Sequence, residues 1–199
     1  MVYAIAKFLM RLTGWQTYGE APPVPKSVVI GAPHTSNMDA IYMVLAAILL
    51  RCNLKWLVKD SLYNTPLKPI LKWAGAIPIT RTGSQNVVEQ VAAIIRDADN
   101  IHIALAPEGT RKRTEGWKSG FYYIAVRAKV PLYFGFVDYA KKQVGIGGHM
   151  EPTGDLEADM AQIRAFYETK TARFPENYGP IKLLARKAGK STAEPQPEA

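Results

Sequence analysis

Ser27-Val28-Val29-Ile30-Gly31-Ala32-Pro33-His34-Thr35-Ser36-Asn37-Met38-Asp39 is a β-branched run that breaks at Gly31 and Pro33 and leads into the apolar stretch Ala40 to Leu50. β-branched residues pack well on a pleated surface, while glycine and proline end regular structure, so Ser27 to Ile30 predicts a buried strand closing in a loop. Asn37 or Asp39 is placed to cap a helix whose body is Ala40 to Leu50. His34 then stands in the connection between strand and helix.

The same alternation continues downstream. Trp56 to Val58 reads as a strand, Leu67 to Trp73 as a short helix behind Pro66, and Ala76 to Ile79 as a strand that Pro78 restricts to an edge or an irregular position. Ser84 can cap a helix carrying Val87, Val88, Val91, Ile94 and Ile95 on one stripe, and Ile101 to Ala106 is the next strand. Gly116 to Lys129 has helical spacing, Pro131 to Val137 and Val144 to Ile146 have strand composition, and Leu156, Met160, Ile163 and Tyr167 mark a last helix. Strands alternating with helices predict an α/β fold: a single layered domain with a mostly parallel or mixed sheet flanked by helices.

A chain of 199 residues with 48% hydrophobic content can bury one core, which assigns residues 1–184 to one domain. Residues 185–199 lack periodicity and are expected to be a disordered tail. The single cysteine, Cys52, excludes an internal disulfide, and with His34, His102 and His149 it offers no zinc-ligand spacing. A reducing compartment and no metal follow as expectations. The formal charge of +8 favours anionic partners, and without a recognition motif or aromatic interleaving of the basic residues it does not point to nucleic acid.

No apolar run reaches the roughly 18 residues needed to cross a bilayer. At the N-terminus, however, Ile5, Phe8, Leu9 and Leu12 share a helical face, with Val2 beside it, Trp15 following, and Lys7 and Arg11 interrupting. That pattern fits a helix lying in a membrane interface, and equally one docked on the domain's own core.

Two stretches can carry chemistry. A general base needs reach to its hydroxyl and a second group to orient it, and His34 with Asp39 can meet both needs. On one α-helix residues five apart diverge by about 140°, so a turn must bring these two together. Pro107-Glu108-Gly109-Thr110-Arg111-Lys112-Arg113 follows a strand and offers close backbone approach at Gly109, a hydroxyl at Thr110 and a planar fork at Arg111, which suits a phosphate and also describes a solvated basic turn. Arg81 and, with a weaker claim, Lys59 stand at strand ends, where α/β sheets place ligands. His102 reads as a core histidine and His149 as a loop residue without a partner. Gly116 to Gly120 has the wrong spacing for a nucleophile elbow, and Cys52 reads as packing.

Taken in order, four blocks resemble the glycerolipid acyltransferase family, which includes the lysophosphatidic acid (1-acylglycerol-3-phosphate) acyltransferases. They are the His-x-x-x-x-Asp block His34 to Asp39, then Gly75 to Arg81, Pro107 to Arg111, and Val130 to Phe134, spanning roughly Val28 to Val137. The resemblance implies a peripheral enzyme on the cytoplasmic side of a membrane that moves a fatty acyl chain from acyl-CoA or acyl carrier protein to a lysophospholipid hydroxyl. It makes His34 and Asp39 catalytic, assigns the acceptor to Arg81, Glu108, Gly109, Thr110 and Arg111, and requires no cofactor. Pro33 and Gly135 depart from the family pattern, which leaves a non-glycerophosphate acceptor as an alternative. The rival of another class is a non-catalytic module for anionic lipids, which would have no need of His34.

Overall fold

The computed structural model describes residues 1–80 and 84–184. Its elements run α1 (Val2–Thr13), β1 (Gln16–Tyr18), β2 (Lys26–Ala32), α2 (Asn37–Leu49) and β3 (Leu54–Lys59). Next come α3 (Asp60–Tyr63), α4 (Lys68–Trp73), β4 (Ala76–Ile79), α5 (Ser84–Asp97) and β5 (Ile101–Leu105). Then follow α6 (Gly120–Ala128), β6 (Leu132–Asp138), β7 (Gln143–Met150) and α7 (Leu156–Tyr167). The strands form one mixed sheet in the order β1-β7-β6-β2-β5-β3-β4, parallel except where β6 meets β7. The α/β expectation holds, and the Pro78 strand is an edge.

From β2 the chain crosses β5 to reach β3 through α2, whereas α5 and α6 carry it back in the opposite direction. Right-handed crossovers run in opposite directions place their helices on opposite faces. Alternation along β2 agrees: Val28 and Ile30 pack in the main core with residues of α5, α6 and α7. Val29 faces the other way, lining an apolar hollow with Met43, Ala46 and Ala47 of α2.

On that second face α1 docks through Met10, which joins Trp15, Tyr42, Ala46, Val137 and Val144 in a smaller core. Gly14 at φ 73 ends α1 and turns Trp15 inward, stacked on Tyr42 at 3.9 Å. Trp15 therefore belongs to the interior and does not continue the exposed helix face. The opposite side of α1 is open, with Ile5 52%, Phe8 63% and Leu12 70% exposed. Among the described residues no helix is long and apolar enough to cross a membrane.

The expected elements form with shifted ends, and several expectations are corrected. Ser36, not Asn37 or Asp39, caps α2: its hydroxyl accepts from the Met38 amide at 3.1 Å. Asp39 is the reciprocal member of this capping box and reaches back to the Ser36 amide. α6 starts at Gly120 because Trp117 pairs with the segment near Leu183 instead of continuing a helix; its amide donates to Lys182 O at 2.7 Å. Gly116 has no room for a side chain, since a Cβ there would lie 2.5 Å from that same carbonyl.

β7 extends well beyond Val144 to Ile146, and His149 is a strand residue stacked on Tyr133 at 5.1 Å, not a partnerless loop residue. Glycines obscured this strand: the Phe166 ring fills the space over Gly147, and the Phe134 ring lies over Gly148. His102 is buried as expected, with its Nδ1 2.8 Å from the Ser27 hydroxyl, and burial lowers its pKa. Arg81 and the tail 185–199 lie outside the described residues.

Candidate active site

β2 and β5 are neighbours, and the helices that follow them leave toward opposite faces of the sheet. Such a switch point opens a crevice beyond the carboxyl ends of the strands, where α/β folds place ligands. The loop carrying His34 leaves one strand and the loop carrying Glu108 leaves the other. They are tied directly, since the His34 amide donates to Glu108 Oε1 at 3.0 Å.

The strand ends at Ala32, Pro33 turns the chain after a cis peptide, and Ser36 starts α2. This turn supplies the reversal that a continuous helix could not. His34 Nδ1 lies 3.6 Å from Asp39 Oδ2, with the imidazole partly open to solvent (24%) and the carboxylate buried (2%). That spacing is an ion-pair distance, longer than a formed hydrogen bond, and such contacts commonly tighten when substrate binds. With Nδ1 turned to Asp39, the other ring nitrogen, Nε2, is left for a further partner.

Asp39 is held from several sides. Its Oδ2 accepts from the Thr35 and Ser36 amides, each at 2.8 Å, and its Oδ1 accepts from the Tyr139 hydroxyl at 2.7 Å. Burial alone would raise its pKa, but His34, Tyr139 and the two amides outweigh burial and hold the carboxyl below its ordinary value. The site thus keeps a fixed negative charge beside the imidazole. Burial and the Asp39 carboxylate raise the pKa of Tyr139, so its hydroxyl stays a donor.

Glu108 is buried, and its Oε2 has no hydrogen-bond partner among the described residues. Desolvation lifts its carboxyl to about 7, against the lowering effect of its own amide and that of His34. Its contact with the neighbouring loop is through Oε1, which holds the His34 amide. Past it the chain turns at Gly109, φ 67, and Thr110, Arg111 and Lys112 are exposed. The Thr110 hydroxyl accepts from the Lys112 amide at 3.3 Å. Arg111 is unpaired among the described residues, whereas Arg113 is pinned by the Tyr178 and Glu176 carbonyls. Only Arg111 of these two arginines keeps its fork free for a ligand.

Two participants escaped the sequence reading. Tyr139 stands 100 positions from Asp39 and has no motif around it. Lys118 comes to the loop through its amide, which donates to Pro107 O at 2.9 Å, and its ammonium folds over Gly109, where an added Cβ would lie 2.7 Å from Nζ. Lys59 is exposed at the end of β3. Cys52 is half-buried, its thiol pushed up to about 11 by desolvation, which leaves no thiolate near neutrality.

One mixed α/β sheet thus carries a histidine-carboxylate pair and an arginine-bearing loop at its switch point. A family model described as Acyltransferase matches residues 16–133, more than half of the chain, and the chain belongs to that family. A 1-acyl-sn-glycerol-3-phosphate acyltransferase of Haemophilus influenzae is 33% identical over 116 residues, which cover 55% of this chain and 46% of that protein. The chain therefore spans about half the length of this curated relative. The crystal structure of the 1-acyl-sn-glycerophosphate (LPA) acyltransferase PlsC from Thermotoga maritima has a similar fold, with TM-score 0.51 and 16% identity, covering 84% of this chain and 73% of that one.

Proposed function

We propose that this chain transfers a fatty acyl group from an acyl thioester, acyl-CoA or acyl carrier protein, to the hydroxyl of a lysophospholipid such as lysophosphatidic acid. His34 Nε2 takes the proton of the acceptor hydroxyl as its oxygen attacks the thioester carbonyl. The new C–O bond forms, the C–S bond breaks, and the departing thiolate takes the proton from the imidazolium. Asp39 orients the ring and stabilises the cation formed on it. Arg111 and Thr110, at the Gly109 turn, hold the acceptor's phosphate, with Arg81 and Lys118 as further cations.

The single observation carrying this reading is the His34–Asp39 pair at the switch point, 3.6 Å apart and locked by the capping box. Placing two bound reactants together accounts for much of such catalysis and needs no cofactor. A peripheral position on the cytoplasmic side of a membrane is supported by the open apolar face of α1, because acceptor and acyl chain both partition into lipid.

The test is a transfer assay with purified protein, one labelled acyl thioester and a panel of lyso-lipids with and without a phosphate monoester. Labelled product on the phosphate-bearing acceptor, absent with His34→Ala, is the expected result. Product only on a non-phosphate acceptor would redirect the substrate assignment, and no product on any acceptor would reject catalysis in favour of lipid binding alone.

A further inference from the structure

Helix α4 is an exposed apolar surface that neither the site nor the core uses. Leu67, immediately before it, is 50% exposed, Ile70 62% and Trp73 64%, at the spacing of successive helical turns. Lys68 and Lys72 stand between them, also exposed, and from Ser61 to Val88 the chain carries no acidic residue. Monomeric proteins do not commonly leave clustered large apolar side chains in water without a partner.

The sheet determines where this surface points. Val29, Ala104 and Trp56 are register partners on adjacent strands, so their side chains share one face. Val29 packs toward α2, and Trp56 donates its indole N–H to Ala74 O, just past the end of α4, at 2.9 Å. α4 therefore lies on the same face as α2 and the docked α1. Ile5, Phe8 and Leu12 are exposed on α1, away from its buried Ala6 and Met10, and Arg51 after α2 sits over the Tyr3 ring at 6.0 Å. The opposite face is closed over the main core by α5, α6 and α7.

We propose that α4 is a second membrane-contact element, with Leu67, Ile70 and Trp73 entering the headgroup boundary of an anionic bilayer and Lys68 and Lys72 meeting its phosphates. The chemistry favours lipid over other occupants. An indole and long lysine stems combine an apolar body with a polar end, as the interface requires, and the absence of acid over this stretch complements anionic headgroups. Contacts from α1 and α4 hold one face of the sheet against the bilayer, where one helix alone would leave the domain free to pivot. The inference deepens the membrane position in the proposed function and rests on it.

Tryptophan quenching isolates α4. Trp15 and Trp117 are buried, Trp56 is half-buried, Trp73 is open, and α1 contains no tryptophan. The full chain is mixed with vesicles of phosphatidylglycerol and brominated phosphatidylcholine. Quenching is expected in the wild type and is expected to be largely lost in Trp73→Phe. Ile70→Ser with Trp73→Ser should lower the vesicle partition constant about tenfold while leaving the melting temperature unchanged, since both side chains are exposed.

Absence of Trp73 quenching in protein that co-sediments with vesicles would overturn the proposal and leave acyl transfer untouched. Unchanged partition of the double variant, or self-association of the wild type that the variant abolishes in ultracentrifugation, would also overturn it; self-association would assign the face to a second copy. Failure of co-sedimentation altogether would remove the membrane position of both α1 and α4. A transfer assay without product on any acceptor defeats the catalytic reading alone, because quenching does not depend on turnover.

Discussion

The Tyr139 hydroxyl donates to Asp39 Oδ1 at 2.7 Å, so a residue beyond the far end of β6 fixes the carboxylate that faces His34. Tyr139 is held in turn by the Trp15 ring, edge-on at 4.9 Å. Trp15 is placed by the end of α1, which links the docked N-terminal helix to the His34–Asp39 pair through two aromatic rings. Tyr139→Phe keeps this packing and deletes the bond. We expect kcat to fall about tenfold with KM nearly unchanged, the scale of one hydrogen bond to a charged group. Steady-state kinetics beside a melting curve checks it, and a loss confined to stability would make Tyr139 a packing residue only.

His34→Ala should reduce turnover about a hundredfold or more with fold and vesicle binding intact, because the proposed base is removed while the backbone amide still bonds Glu108. Asp39→Asn should also be severely impaired. The Asp39 pKa lies below 3.8 in the folded chain, so its stabilising contribution is complete above that pH and is lost as pH falls through the folded value. Urea denaturation at neutral pH separates this stability loss from the kinetic one.

Arg111→Ala should weaken use of a phosphate-bearing acceptor more than use of one lacking phosphate, since the guanidinium is free to make a charge-assisted contact. Arg111→Lys should recover only part, keeping charge without the planar fork. Competing acceptors in one assay give the ratio directly. Equal losses on both would make Arg111 structural.

Phe8→Ser with Leu9→Ser should reduce co-sedimentation with anionic vesicles and activity on vesicle-embedded acceptor while sparing a short-chain soluble acceptor. The buried side of α1, Ala6 and Met10, is untouched by these changes, so the melting temperature should hold.

Glu108→Gln should change the pH dependence of stability. The buried carboxyl titrates near 7 rather than 4.5, so the folded wild type binds the extra proton and loses stability as pH rises from 4.5 to 7. Glutamine does not titrate and can still accept from the His34 amide. The variant should therefore gain on the wild type across that range, by on the order of 3 kcal/mol, and hold the gain above it. Denaturation at pH 5 and pH 8 measures the difference, and an equal gap at both would refute the shifted carboxyl.

What could be read from the linear chain is what neighbouring residues decide. Periodicity placed the strand before His34, the helix body from Ala40 and the restricted strand at Pro78, because side-chain alternation and backbone breakers act locally. The approach of His34 to Asp39 was also legible, since a short turn is specified by the residues within it. Folding in three dimensions decided the rest. Tyr139 and Lys118 reach the site only because β5, β2 and β6 lie side by side. β7 was hidden because its glycines serve aromatic rings from α7 and β6, so its identity rests on distant partners. The N-terminal pattern could not choose between interface and core, because amphipathic spacing is the same for both. Packing decided only which side chains the domain covers, burying Met10 and Trp15 with Tyr42 and leaving Phe8 and Leu12 exposed.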